Sequence, residues 1–119
     1  MQNETIDVVK TGGDLFKLSV RRILAENAGK FLVVAQSGFT TPVRKADGGG
    51  LMLDNMLTGP LVCPNRNYAD AVAMLWNGNF HSMRTGIKVA VVTVEEFAAA
   101  FLSEIERTEN FMEEAEADA

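Results

Sequence analysis

The chain has 119 residues, 47% of them apolar and 23% charged, which fits one globular domain with a modest core and argues against disorder. Its apolar runs are far too short to span a bilayer, and its first ten residues lack the basic-then-apolar layout of a signal peptide. The net charge is −5, and the single cysteine can form no internal disulfide. We therefore expect a cytoplasmic protein with no membrane contact.

The first part of the chain contains a short strand and a segment with two interpretations. Thr5–Lys10 predicts a strand that ends at a Gly-rich turn. Residues 14–29 fit a helix that begins at an Asp N-cap and ends at a Gly. They also fit a strand followed by a hairpin turn, because apolar and polar residues alternate over residues 16–21. We favour the helix, because the alternation fails from Arg22 onward.

Two strands and a long loop follow. Lys30–Gln36 is a β-branched apolar run that predicts an interior strand, and Phe39–Lys45 predicts an edge strand because it contains Pro42. Residues 46–67 break the pattern with four glycines and two prolines, yet they also carry seven large apolar side chains. Either these side chains cover the core of the same chain, through a helical turn near Leu51–Leu57, or they enter a neighbouring subunit.

A short helix is predicted after this loop. Asn67 is the expected N-cap, and Gly78 is the expected end of the helix, followed by a connection over residues 79–86. Trp76 lies near the end of the helix and is therefore expected in the core or in an interface. The predicted inward face comprises Tyr68, Val72 and Leu75.

The last strand and the last helix have the clearest signals. Ile87–Thr93 predicts a strand, and Thr93 with Glu96 forms a capping box at the start of the helix. We expect residues 113–119, which are mostly acidic, to fray into solvent. The predicted inward face of the helix comprises Phe97, Phe101, Ile105, Thr108 and Met112.

Charge is distributed unevenly along the chain. Residues 1–92 hold ten Lys or Arg against seven Asp or Glu, whereas residues 93–119 hold nine acids against one Arg. A mildly basic body of net charge +3 therefore carries a segment of net charge −8, which either docks on a basic partner or forms a solvated helix face. This weakly basic body and the lack of a recognition motif argue against binding to double-stranded DNA.

The sequence offers little for catalysis or metal binding. One His and one Cys, without paired carboxylate and His spacing, cannot supply a zinc site. Cys63 could pair only with His81, and such a couple needs a third group to orient the imidazole. The glycines of residues 48–50 lack the Lys-Ser or Lys-Thr of a phosphate loop, which favours a hairpin or linker there. We predict no catalytic residue, no cofactor and no metal.

Basic residues at the ends of predicted elements form a candidate ligand site. In a small domain they could gather around one concave surface beside aromatic rings, the combination that nucleotides and other anions require. The alternative is that they are ordinary solvated charges beside core aromatics. The candidate ligand-binding residues are Arg44, Lys45, Arg66, Phe80, His81 and Arg84.

The stretch from Tyr68 to Gly86, 19 of the 119 residues, carries an aromatic residue, an Ala, an Asn-Gly pair and an Arg at Tyr68, Ala71, Asn77, Gly78 and Arg84. In these positions it resembles the opening of a family of small phage proteins that sequester nucleotide-like immune signals. Thr85-Gly86 stands where that family carries a tryptophan, so membership is not inferred. The resemblance implies a nucleotide-like ligand.

Together these features predict an α+β protein. We expect a single domain over residues 1–112, with a small and mostly antiparallel sheet of three to five strands, two or three helices packed on it, and a long acidic C-terminal helix. Residues 113–119 are expected to form an acidic frayed tail. The apolar loop and six methionines favour a homo-oligomer.

For function, we predict a non-enzymatic interaction or inhibitor protein of the small phage or mobile-element accessory type. It would bind a macromolecular partner, a protein, through the apolar loop and the acidic helix. The alternatives are an oligomeric protein that binds or sequesters an anion or nucleotide, and a structural subunit of a larger assembly. The predicted partner-binding residues are Leu51, Met52, Met56, Leu57, Glu104, Glu109 and Glu113.

Overall fold

The fold is α+β with a long C-terminal helix, as the sequence predicts. A computed structural model describes residues 12–78 and 80–118, with side chains described for residues 13–78 and 83–116. The predicted strand Thr5–Lys10 lies outside the described residues. The elements are α1 (Gly12–Asn27), β1 (Phe31–Ala35), β2 (Val43–Lys45), β3 (Leu51–Leu53), α2 (Arg66–Asn77), α3 (Phe80–Thr85), β4 (Val89–Thr93) and α4 (Val94–Asp118).

Strands β1 and β4 form an antiparallel pair that lies between two layers of helices. Leu32 and Val34 pack with residues of α1 and α4 on one face, whereas Val33 and Val89 pack with α2 on the other. Because both faces are covered, both strands read as continuous apolar runs rather than as an apolar–polar alternation. The predictions of strands within Lys30–Gln36 and Ile87–Thr93 are therefore confirmed.

Helix α1 resolves the ambiguity of residues 14–29 in favour of the helix, but Asp14 lies in its first turn, so the assignment of Asp14 as the N-cap is wrong. It runs antiparallel to α4: the Gly29 N–H, just past its end, donates to the Glu95 carboxylate at 2.9 Å, near the start of α4. Nearer its own start, the ring of Phe16 lies 5.6 Å from that of Phe101. The helix is favoured over the strand because its apolar residues form one face at helical spacing, and this face packs against α4.

The predicted long loop is partly a β-hairpin. Strand β2 pairs antiparallel with β3, with Val43 opposite Leu53, and Gly48–Gly50 adopt positive φ angles in the turn between them. The expected helical turn near Leu51–Leu57 is thus wrong in its first half, which is a strand. Asp54 then organises the chain after β3, because its buried carboxylate accepts hydrogen bonds from the Thr58 N–H and hydroxyl and from the Gly59 N–H.

Helix α2 begins two residues earlier than expected. Its N-cap is Asn65, whose side chain accepts from the Tyr68 N–H at 2.8 Å, so the assignment of this role to Asn67 is wrong. Its end at Gly78 is confirmed, with the Gly78 N–H donating to the Met74 carbonyl at 2.9 Å. The expected connection over residues 79–86 contains the short helix α3.

The buried face of α2 also differs from the expected one. Ala69, Val72 and Trp76 are buried, whereas Tyr68 and Leu75 are exposed. The indole of Trp76 is held by a 2.7 Å hydrogen bond from Nε1 to the Ile87 carbonyl, just before β4. Docking of this large side chain in the core decides which way the helix faces, and Trp76 is therefore a core residue.

Helix α4 begins with the predicted capping box. The Thr93 N–H donates to the Glu96 carboxylate at 2.8 Å, and the Glu96 N–H donates to the Thr93 hydroxyl at 3.0 Å. The helix then extends through Asp118. Within the described ranges, no helix has the length and apolar composition needed to cross a membrane.

The inward face of α4 is confirmed only over its first three turns. Phe97 and Ile105 are buried, whereas Thr108 and Met112 are exposed, contrary to expectation. The reason is length: 25 helical residues extend about 37 Å, whereas the 16 residues of α1 extend about 24 Å. The second half of α4 therefore reaches past the layer that covers the first half.

Candidate functional site

The four predicted ligand-binding residues whose side chains the structure describes lie on three separate elements. Arg44 and Lys45 are neighbours on β2, so their side chains point to opposite faces of the hairpin. Arg44 contacts Met52 across the hairpin, with Nη1 3.3 Å from the sulfur, and its Nε is buried without a hydrogen-bond partner among the described residues. Lys45 is exposed.

The two remaining basic residues lie at opposite ends of α2. Arg66 is its first residue and Arg84 lies in α3, beyond its end, so the 12-residue helix places about 18 Å of chain between them. Arg66 stacks over the ring of Phe31, 6.0 Å from its centroid, and its Nε is 4.0 Å from the Asp70 carboxylate. The side chains of Phe80 and His81 lie outside the described residues.

Cys63 is a core residue. It is fully buried and opposes Phe31 in an isolated bridge on the edge of β1. Burial raises the pKa of the thiol to about 11, because the interior solvates the thiolate poorly. The side chain therefore stays protonated at neutral pH and contributes packing. In the ranges 12–78 and 80–118, no three His, Cys, Asp or Glu side chains come together as a metal site would require.

Asn77 joins α2 to β4 in a way that the sequence analysis missed. Its side-chain amide donates to the Val89 carbonyl and its side-chain oxygen accepts from the Val89 N–H, both at 2.9 Å. The amide thus pairs with both backbone groups of an edge-strand residue, as a neighbouring strand would. With Trp76 buried beside it, the segment Trp76–Gly78 is a structural joint.

The predicted apolar partner-binding residues do not form one surface. Leu57 is only 8% exposed and belongs to the cluster that packs on α1 and α4, so its assignment to a docking surface is wrong. Leu51 is half-buried against the α2 layer. Met52 and Met56 are exposed, and Met52 contacts the Arg44 guanidinium. This segment therefore serves mainly to cover the protein's own core.

The three predicted acidic residues do come together. Glu104, Glu109 and Glu113 line one groove of about 540 Å³ between the second half of α4 and the start of α1, and we call it the acidic groove. Its floor includes Ile105 and Met112, which the sequence analysis had assigned to the inward face. The full lining is Gly13, Glu104, Ile105, Thr108, Glu109, Met112, Glu113 and Glu116.

Charge is compensated at one side of the acidic groove and not at the other. Lys17 Nζ lies 3.1 Å from each carboxylate oxygen of Glu109, and Arg107 pairs with Glu104. For Glu113 and Glu116, no cation of the described residues lies within ion-pair distance. The far end of the groove therefore presents two unneutralised carboxylates beside Met112, which is 59% exposed.

A second exposed apolar surface lies on α2. Met74 is 74% exposed and Leu75 is 57% exposed, and with Ala71 and Gly78 they line a hollow of about 330 Å³. Tyr68 is exposed on the same helix. The sequence does contain the signal for this surface, because residues 68–76 are apolar all round the helix apart from Asp70, and a helix of that kind needs cover on more than one side.

Comparison with known proteins adds no family: no family model, curated protein or solved structure matches this chain. The described residues present two candidate binding surfaces, the acidic groove and the outer face of α2.

Proposed function

We propose that this protein is a non-enzymatic interaction protein, and that its acidic groove binds a basic, amphipathic segment of a partner protein. The observation that carries the proposal is the combination of Glu104, Glu109 and Glu113 around an apolar floor in one groove. As predicted from the sequence, the protein would act in the cytoplasm.

Charge and apolar surface favour the same kind of ligand. Glu113 and Glu116 leave a local excess of negative charge, which attracts Lys and Arg side chains and speeds association with a basic partner. Met112 and Ile105 offer an apolar strip between the carboxylates, and burial of an apolar side chain there supplies affinity that charge alone does not. A helix with apolar residues on one face and basic residues beside them satisfies both requirements.

The non-enzymatic part of the proposal is supported by the state of the one nucleophilic thiol. Cys63 is fully buried, and the raised pKa of its thiol leaves it protonated near neutral pH. The basic residues that could polarise a substrate are spread over separate elements. Binding is therefore the activity that the described side chains favour.

The test uses a synthetic helical peptide of Leu and Lys, with the Leu residues on one face, labelled for fluorescence anisotropy. The groove variant carries Glu113→Lys and Glu116→Lys. The matched control carries Glu106→Lys and Glu114→Lys, which change the net charge equally but lie outside the groove lining. We expect the groove variant to bind at least about tenfold more weakly, a loss of about 1.4 kcal/mol, and the control to lose far less.

Two results would contradict the proposal. Equal weakening of both variants means that the peptide senses only net charge and that no groove is involved. Absence of binding by the unmodified protein at low salt rejects the groove as a site for basic segments. A third variant, Met112→Ser, tests the apolar floor and should weaken binding without changing net charge.

A further inference from the structure

We infer that the outer face of α2 is a self-association surface, on which α2 of a second copy packs antiparallel about a two-fold axis. The acidic groove is not part of this surface, so the inference stands apart from the proposed function. It rests on the spacing, size and charge of the exposed residues of α2.

Four of the exposed residues of α2 and its C-cap form a stripe with symmetric spacing. Tyr68, Ala71, Leu75 and Gly78 are separated by three, four and three residues, so they lie along one side of the helix. Ala69, Val72 and Trp76 occupy the buried side. The stripe is therefore exposed and can contact another molecule, while the other side of the helix packs in the core.

The sizes of these residues are self-complementary about the midpoint of the stripe, which falls at position 73. In an antiparallel pair centred there, Leu75 lies opposite Ala71 of the second copy, and Tyr68 lies opposite Gly78 of the second copy. Large therefore meets small at all four positions, which is the arrangement that packs two helices closely. The hollow lined by Ala71, Met74, Leu75 and Gly78 is the space that a side chain of the second copy would fill.

The charge of this face is compatible with a second copy as its occupant, and the size pattern of the stripe favours that occupant. The stripe and Met74 are uncharged, and the charges on the flank, Arg66 and Asp70, face each other within the same copy. Two such faces therefore meet without repulsion, and antiparallel helices also oppose their dipoles favourably. The second half of α4, by contrast, carries an excess of carboxylates and would repel its own copy.

A two-fold contact also explains why so much apolar area remains on so small a protein. Met74 and Leu75 are among the most exposed large apolar residues of the described chain, and they are adjacent. Contiguous apolar exposure of this kind is typical of an interface, whereas single exposed apolar residues are common on any surface. The face is isologous, so one stripe serves both copies and closes the assembly at a dimer.

The test is a size-swap series measured by sedimentation velocity over micromolar concentrations. The unmodified protein should show a monomer–dimer equilibrium. Ala71→Leu places two large side chains opposite each other, and Leu75→Ala leaves a gap, so each should weaken the dimer, by about tenfold if the cost is about 1.4 kcal/mol. The double variant with both changes restores large opposite small, and should recover most of the affinity.

The controls separate this geometry from general stickiness. Phe111→Ala removes an exposed aromatic side chain from α4 and should leave the dimer unchanged. Ala71 and Leu75 are exposed in the single copy, so the variants should keep the circular dichroism spectrum of the unmodified protein. A variant with Ala71→Cys and Leu75→Cys should form disulfide-linked dimers on mild oxidation, and the buried Cys63 should not take part.

Each outcome decides the inference. A protein that stays monomeric at all concentrations overturns it. A dimer that neither single change weakens, or that the double change does not rescue, places the contact elsewhere and also overturns it. Rescue by the double variant, together with cross-linking through positions 71 and 75, supports it.

Discussion

The two halves of α4 have the same kind of apolar spacing but very different surroundings. Phe97 is fully buried between α1 and the sheet, whereas Phe111, fourteen residues later on the same helix, is 70% exposed. The first half is covered because α1 packs along it. The second half extends past α1, and among the described residues only the start of that helix lies beside it.

The acids of the two halves differ in the same way. Glu95 accepts a hydrogen bond from the Gly29 N–H, and Glu96 completes the capping box, so both serve the fold. Glu113 and Glu116 make no such contact with the described part of the chain, and both line the acidic groove. Helical periodicity therefore predicts which side of a helix is apolar, but it does not predict whether another element packs against that side.

The largest predicted effect tests burial along α4. Phe97→Ala removes a fully buried ring and should lower the free energy of unfolding by about 3–5 kcal/mol, because it leaves a cavity in the core. Phe111→Ala should change it by less than about 0.5 kcal/mol. Chemical denaturation followed by circular dichroism measures both. If Phe111→Ala were strongly destabilising, the second half of α4 would be covered in solution, which would contradict the difference in burial between the two halves.

A smaller loss of stability is expected when Leu57 is truncated, because this residue of the segment between β3 and α2 packs in the cluster that includes the first half of α4. Leu57→Ala should lower the free energy of unfolding by about 2–4 kcal/mol, since Leu57 packs in the same cluster as Phe97. Its neighbour Met56 is 65% exposed, so Met56→Ala is the matched control and should have little effect. Chemical denaturation checks this prediction, and equal denaturation midpoints for the two variants would show that Leu57 does not contribute to the core.

Loss of a threonine hydroxyl should lower the free energy of unfolding more at the start of α4 than in its middle. Thr93→Ala removes the hydroxyl that accepts from the Glu96 N–H and should cost about 1 kcal/mol. Thr108 is an exposed threonine on the same helix, so Thr108→Ala makes the same chemical change without loss of a cap. Thermal unfolding of the two variants checks this prediction, and a smaller shift for Thr93→Ala than for Thr108→Ala would contradict it.

The smallest predicted effect lies at the boundary between the halves. A double-mutant cycle with Lys17→Met and Glu109→Gln should give a coupling of about 0.2–1 kcal/mol that decreases with added salt, because the pair is partly exposed. The Glu104–Arg107 pair lies within α4 and does not link two helices, so its coupling should be smaller. A coupling of zero for Lys17 and Glu109 would mean that this ion pair does not hold α4 against α1.

Several elements could be predicted because their signals are local. The capping box at Thr93, the end of α2 at Gly78 and the strands β1 and β4 depend on residues close together in sequence. The sequence prediction misplaces the N-cap of α2 because Asn65 and Asn67 have the same side chain, and only the extended backbone of Asn65 and its hydrogen bond from the Tyr68 N–H distinguish them. Strand β3 was missed because a three-residue strand exists only through its pairing with β2.

The candidate site was predictable only in part, for a related reason. Glu104, Glu109 and Glu113 could be assigned to one element because they lie on one predicted helix, but that they line one groove together with Ile105 and Met112 follows only from the structure. Arg44, Arg66 and Arg84 come from three elements, and their relative positions depend on how those elements pack. The role of Asn77 depends on its contact with Val89, twelve residues away, which no local pattern indicates.

By itself, the sequence determined the α+β class, the strands β1 and β4, the helical start at Thr93 and the uneven distribution of charge, because each follows from composition or from short-range spacing. Only the tertiary structure decided which side of α2 is buried, where Leu57 lies and how far along α4 the core extends. These depend on the packing of Trp76 and on the different lengths of α1 and α4, and such contacts join residues that are distant in the sequence.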